Sequence, residues 1–138
     1  MKKNIYMVQA NYLYGNSTYF PYAVGTLIAN AKKYRNINEI YNFGEIFFLR
    51  EDIDDVLSRM HNPAVVGFSN YIWNYEYNKI LAKKLREKYP DCVIIFGGHH
   101  IGENNDVFND CPCADYFIFG EGEEIFCRIL LALSGEGS

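Results

Sequence analysis

The chain reads as an α/β domain: a three-layer sandwich with a five-stranded parallel sheet between helices. Three observations predict this. Short apolar runs and amphipathic stretches alternate along the 138 residues, the pattern of strands linked by crossover helices. Two of the runs stop at glycine, residues 93–96 before Gly97-Gly98 and residues 116–119 before Gly120-Glu121-Gly122. Short apolar runs bounded in this way mark strands buried on both faces, as parallel sheets require. The balance of 49% hydrophobic to 22% charged residues is that of one globular domain able to bury its own core.

Each element has its own justification. Residues 5–9 are short and apolar and make the first strand. A helix follows over 21–33, where Val24, Leu27, Ile28 and Ala31 fall at i, i+3, i+4 and i+7 and Pro21 suits the first turn. Residues 37–41 predict the second strand; Ile46-Phe47-Phe48 either extends it or stands as a separate piece. Residues 51–60 predict a short helix with acids in its first turn, where the helix dipole favours them. The third strand, 64–69, is entered through Asn62-Pro63. The helix over 73–89 shows the clearest pattern. Trp73, Tyr77, Ile80, Leu81 and Leu85 make one stripe, Lys79, Lys83, Lys84 and Glu87 face water, and Pro90 ends it. A fourth strand at 92–96, a short helix near 106–109, a fifth strand at 116–119 and a final helix over 123–133 complete the chain. Right-handed crossovers then give the flavodoxin-like (Rossmann-like) strand order 2-1-3-4-5.

Composition and motifs exclude several functions. A net charge of −4 argues against a nucleic-acid surface. No apolar stretch approaches the ~20 residues that cross a bilayer, and no long apolar signal core follows the basic N-terminus, so a cytoplasmic setting is expected. Cys92, Cys111, Cys113 and Cys127 are too few and too scattered for a disulfide framework. Cys111-Pro112-Cys113 lacks both the usual zinc spacing and a second pair, and reads as free thiols in a loop. A phosphoacceptor domain needs an acidic group after strand one and an aspartate ending strand three; Gln9-Ala10 and Ser69 stand there instead. The glycine fingerprint of dinucleotide sites and the Walker lysine are both absent.

The candidate site lies where the predicted strands end. Strand one runs into Asn11 and Tyr12, strand three into Ser69, Asn70 and Tyr71, strand four into Gly97, Gly98, His99 and His100, and strand five into Gly120, Glu121 and Gly122. In open α/β sheets ligands collect on that edge. Paired glycines there let something bulky approach the backbone. The chain is rich in aromatics, at 17%. Tyr12, Tyr14, Tyr19, Tyr71 and Trp73 fall in or beside the same loops, which suits either a flat ligand or packing against a further domain.

In this order the motifs resemble the N-terminal cobalamin-binding domain of cobalamin-dependent radical SAM enzymes. Phe20-Pro21-Tyr22-Ala23-Val24-Gly25 is similar to the Pro-x-x-x-Gly opening of that family's first helix. Val65-Val66-Gly67-Phe68-Ser69 is similar to its third strand, Gly97-Gly98-His99-His100 to its Gly-Gly-Pro-His, and Cys113-Ala114-Asp115-Tyr116 with Gly120-Glu121-Gly122-Glu123 to its final strand and turn. The resemblance implies bound cobalamin, with Asn11, Tyr12, Ser69, Asn70, Tyr71, Gly97, Gly98, His99, His100, Gly120, Glu121 and Gly122 lining its site. Small residues at Ser69, Gly97 and Gly98 suit a slot for the nucleotide tail.

Two departures qualify what the resemblance implies. The Asp-x-His-x-x-Gly motif that places a histidine below cobalt in other cobalamin proteins is absent. Asn11-Tyr12-Leu13-Tyr14-Gly15-Asn16 stands in its place, and His61 is expected at the opposite edge. His99 and His100 are read as solvated or structurally bonded, so cobalamin is expected to bind base-off. The Cys-x-x-x-Cys-x-x-Cys motif of radical SAM enzymes is also absent, so the 4Fe-4S cluster, S-adenosylmethionine and the catalysis of a methyltransferase or related enzyme are expected in a separate C-terminal domain in cis. Residues 1–133 are then the cobalamin-binding-like domain and 134–138 the start of a linker. The alternatives are a fold that serves as scaffold or lid without cobalamin, or a free-standing flavodoxin-like binding module.

Overall fold

The computed structural model describes residues 2–11, 13–14, 17–18, 22–49, 51–70, 74–98, 112–118 and 123–133. The described chain begins with β1 (Lys3–Asn11) and a small antiparallel pair, β2 (Leu13–Tyr14) and β3 (Ser17–Thr18). It continues through α1 (Tyr22–Ala31), α2 (Arg35–Ile40), β4 (Tyr41–Leu49), α3 (Ile53–Ser58), β5 (Pro63–Ser69), α4 (Tyr75–Lys88), β6 (Val93–Gly97), β7 (Tyr116–Phe117) and α5 (Glu123–Leu133). The main sheet runs β4-β1-β5-β6-β7, and every pairing in it is parallel. Counted in chain order within that sheet, this is the expected 2-1-3-4-5.

Alternation along the strands builds the layers, because successive side chains point to opposite faces. Ile5 and Met7 of β1 enter one apolar layer, while Tyr6 and Val8 enter the other. On β5, Val65 joins the first, and Val66 and Phe68 join the second. Helices α1, α2 and α5 cover the first layer through Ile28, Ile37, Phe126 and Leu130. Helices α3 and α4 cover the second through Val56, Leu57, Leu81 and Leu85. Each such leucine or isoleucine contributes about 1.5–3 kcal/mol by leaving water.

The second strand differs from its expected place. Residues 37–40 close α2, and β4 begins at Tyr41, where the strand was expected to end; Ile46 and Phe47 belong to this one long strand. Short apolar runs fit either period, and here local contacts favour the helix. Arg35 and Glu39 form an i,i+4 ion pair at 2.9 Å on the outside, and the Asn38 amide donates to Lys32 O and Tyr34 O. Ile37 is left fully buried.

Ile80 also departs from expectation: it is 51% exposed and lies outside the apolar stripe. The buried face of α4 runs through Asn78, Leu81, Ala82 and Leu85, with Tyr77 beside it. Asp52 caps α3, its carboxylate accepting from Asp55 N at 3.2 Å. The expected helix near 106–109 lies outside the described residues, and the β2–β3 pair was not anticipated.

The N-terminal edge of the sheet is tied by charge. Arg86 donates to the carbonyls of Pro90, Cys92 and Cys113 and to Asp115 Oδ2, at 2.8, 2.7, 2.8 and 2.5 Å. The same carboxylate oxygen accepts from Ile94 N at 2.8 Å. His61 lies at this edge, as expected, and its N–H donates to the Tyr6 hydroxyl at 2.9 Å.

Candidate functional site

Because the strands are parallel, their C-terminal ends share one edge. Asn11 closes β1 there, and Ser69 at the end of β5 pairs with Gly97 at the end of β6. A set of neutral hydrogen bonds fastens these ends. Asn70 donates to Gly97 O twice, through its backbone N–H at 2.8 Å and its side-chain amide at 3.1 Å. Asn74, just before α4, and Asn78 within it both donate to Ser69 O, at 3.1 and 3.2 Å, and Asn78 also donates to Asn70 Oδ1 at 2.8 Å. Asn70, Asn74 and Asn78 are at most 1% exposed. Buried amides of this kind must pair, so each fixes the next.

The sequence pointed to Ser69 and Asn70 but not to Asn74 and Asn78. The signal was present: 74, 78, 81, 82 and 85 make one helical face, and asparagine occupies two positions where an apolar residue would be usual.

The two glycines have different uses. Gly98 adopts φ +100°, and a Cβ on it would stand 2.5 Å from Asn70 N and 2.6 Å from Asn70 O. Its missing side chain makes room for the chain's own backbone. Among the described residues, a Cβ on Gly97 would meet Ile118, at 3.7 and 3.9 Å, which is ordinary contact. A side chain is therefore tolerated, among the described residues, at Gly97 and not at Gly98. Among the described residues, the Ser69 carbonyl is engaged twice while its hydroxyl has no partner.

Of the other expected site residues, Tyr12, Tyr71, His99, His100, Gly120, Glu121 and Gly122 lie outside the described residues, as does Trp73. Cys111 does too. Cys92 and Cys127 are free thiols. Burial pushes the Cys92 thiol up to about 12 and raises that of Cys127 as well, which makes both poor nucleophiles. Among the described residues, no group of three or more His, Cys, Asp or Glu side chains could hold a metal ion.

This arrangement defines a flavodoxin-like domain whose described strand ends are fastened by neutral hydrogen bonds. Solved structures agree on the fold. The chain is similar to a CheY-like protein from Pseudomonas aeruginosa, with 15% identity, TM-score 0.62 and coverage of 94% of each chain. It is equally similar to the pilus assembly protein CpaE from Caulobacter crescentus, with 15% identity, TM-score 0.63 and coverage of 94% of this chain and 92% of the other. At that identity the likeness concerns the fold alone.

A family model for the B12 binding domain matches residues 27–130, and the chain belongs to that family. The matched segment contains Ser69, Asn70, Gly97 and Gly98. Two curated relatives extend the comparison. The cobalamin-dependent radical SAM methyltransferase TokK of Streptomyces tokunonensis is 29% identical over 113 residues, 81% of this chain. The 2-(S-pantetheinyl)-carbapenam-3-carboxylate methyltransferase of Streptantibioticus cattleyicolor is 27% identical over 114 residues, 82% of this chain. The aligned part spans 17% of either relative. No helix among the described residues is long and apolar enough to cross a membrane.

Proposed function

We propose that this domain binds cobalamin and positions it for a radical SAM domain in the same polypeptide, which methylates an organic substrate. The observation that carries the reading is the pairing of Ser69 with Gly97 at the ligand edge of a B12-binding fold. The residues fit the cofactor there in a way the geometry can test. The Gly97 site has room for at least a methyl group, and the small Ser69 side chain stands on the neighbouring strand end. A tail slotted between strand ends needs such room.

When bound, cobalamin supplies a cobalt centre that carries a transferable methyl group. The chain supplies position. In this reading Ser69 offers a hydroxyl to a polar atom of the tail, and Gly97 leaves the slot open. Asn70 and Gly98 hold the two strand ends in register. In the same reading Asn11, Tyr12, Tyr71, His99, His100, Gly120, Glu121 and Gly122 contribute to the cofactor site. The 4Fe-4S cluster and S-adenosylmethionine belong to the separate domain, with residues 134–138 opening the linker toward it. The relatives' names support this arrangement, and the free thiols suit a reducing cytoplasm.

The test is a titration of the protein with hydroxocobalamin, followed by visible absorption. The expected result is saturable binding with a base-off spectrum that His99→Ala and His100→Ala leave unchanged. A spectrum altered by His100→Ala would make His100 a cobalt ligand. Absence of binding would favour a scaffold that keeps the fold without the cofactor.

A further inference from the structure

We infer that Asn78, buried in α4, is a positioning residue for the ligand edge: it sets the strand ends at which a bound molecule is held. The inference rests on the cobalamin reading above and assigns a role to a side chain that is 0% exposed.

The side-chain amide of Asn78 has three acceptors within reach: Asn70 Oδ1 at 2.8 Å, Ser69 O at 3.2 Å and Asn74 Oδ1 at 3.5 Å. Its Nδ2 thus reaches both Ser69, the last residue of β5, and Asn70, which follows it. Through Asn70 the connection continues to Gly97 O and to the backbone against which Gly98 packs. One helical side chain therefore links α4, the end of β5 and the end of β6.

The opposite end of the amide shows that geometry outweighs stability at this position. Among the described residues, Asn78 Oδ1 is buried without a hydrogen-bond partner, an arrangement that destabilises a fold. Leucine fills the neighbouring buried positions 81 and 85 without that penalty. Reversing the amide would not help, because it would aim Oδ1 at the three acceptor oxygens. What the fold obtains from Asn78 is a pair of N–H donors directed at Ser69 and Asn70.

The experiment compares Asn78→Ala with Leu85→Ala, a cavity-forming change on the same helix face, away from the strand ends. Three quantities are measured for each: stability to urea, exchange of the Asn70 amide hydrogen in ligand-free protein, and affinity for hydroxocobalamin. Asn78→Ala is expected to speed Asn70 exchange and to weaken binding about 10- to 100-fold, the effect of stranding buried acceptors. Leu85→Ala is expected to lose comparable stability while leaving affinity within about twofold. Asn78→Ser, which retains one donor, should lie between the two and also serves if the alanine variant does not fold.

Unchanged affinity in Asn78→Ala or Asn78→Ser, with wild-type binding intact, overturns the inference alone. Equal losses of affinity in Asn78→Ala and Leu85→Ala would reduce Asn78 to a general stabiliser and overturn it too. A wild-type protein that does not bind overturns the cobalamin reading instead, and Asn70 exchange then reports whether the clamp exists without it.

Discussion

Gly98 and Asn70 interlock through their backbones: the peptide groups of Asn70 occupy the space that a side chain on Gly98 would need. The contact joins the end of β6 to the end of β5 just beyond the last strand pair, Ser69 with Gly97. Gly98→Ala is therefore expected to destabilise the fold by about 2–4 kcal/mol, from the left-handed backbone and the overpacking together. Urea unfolding measures this directly. A midpoint equal to the wild type would show that the strand ends rearrange freely.

Gly97 should behave in the opposite way. Among the described residues, a Cβ there makes ordinary contact with Ile118, so Gly97→Ala should change stability by less than about 1 kcal/mol. Gly97→Leu should remain folded by circular dichroism yet lose at least about tenfold in hydroxocobalamin affinity. Undiminished binding in a folded Gly97→Leu protein would move the tail to another part of the edge.

Arg86 and Asp115 predict a stability effect with no effect on the site. Asp115→Ala removes the acceptor of both Ile94 N and Arg86 Nη2, and Ile94 is fully buried. The expected cost is about 1–3 kcal/mol in chemical denaturation. Hydroxocobalamin affinity should be unchanged, because the pair sits at the opposite end of the strands.

The Cys92 thiol predicts an alkaline weakness. Its folded value, pushed up to about 12 mainly by burial, exceeds the ordinary value of about 8.5. Below the ordinary value the thiol is neutral in both states and its contribution is complete. Between about pH 8.5 and 12 the unfolded chain ionises first, so stability falls by up to about 1.4 kcal/mol per pH unit. Burial raises Tyr41 and Cys127 in the same sense. Urea unfolding at about pH 8 and about pH 10 should show a steeper loss in the wild type than in Cys92→Ala. Equal slopes would mean that the Cys92 thiol is not shielded from water.

Strand order and the shared C-terminal edge were legible because β5 and β6 are continuous apolar runs with clear ends. That signature survives without any knowledge of partners. The boundary between α2 and β4 was not legible, because Ile37 and Ile40 fit both periods and Asn38 decides the matter only through carbonyls brought near by the preceding turn. At the site, residue size was readable and residue use was not. Gly97 and Gly98 look alike in sequence, yet one would tolerate a Cβ and the other accommodates Asn70. Asn78 was missed for a related reason: Tyr77, Leu81 and Leu85 mark the buried face of α4, but an apolar pattern takes in the exposed Ile80 and passes over the asparagine that shares that face.

The two ends of the sheet are held by different forces. Arg86 and Asp115 bind the N-terminal ends through opposite charges, which dissolved ions screen. Asn70, Asn74 and Asn78 bind the C-terminal ends through amides that carry no net charge and do not titrate. A rise in ionic strength therefore loosens one end of the strands and spares the other. The frame formed by these amides is expected to keep its shape as ionic strength rises.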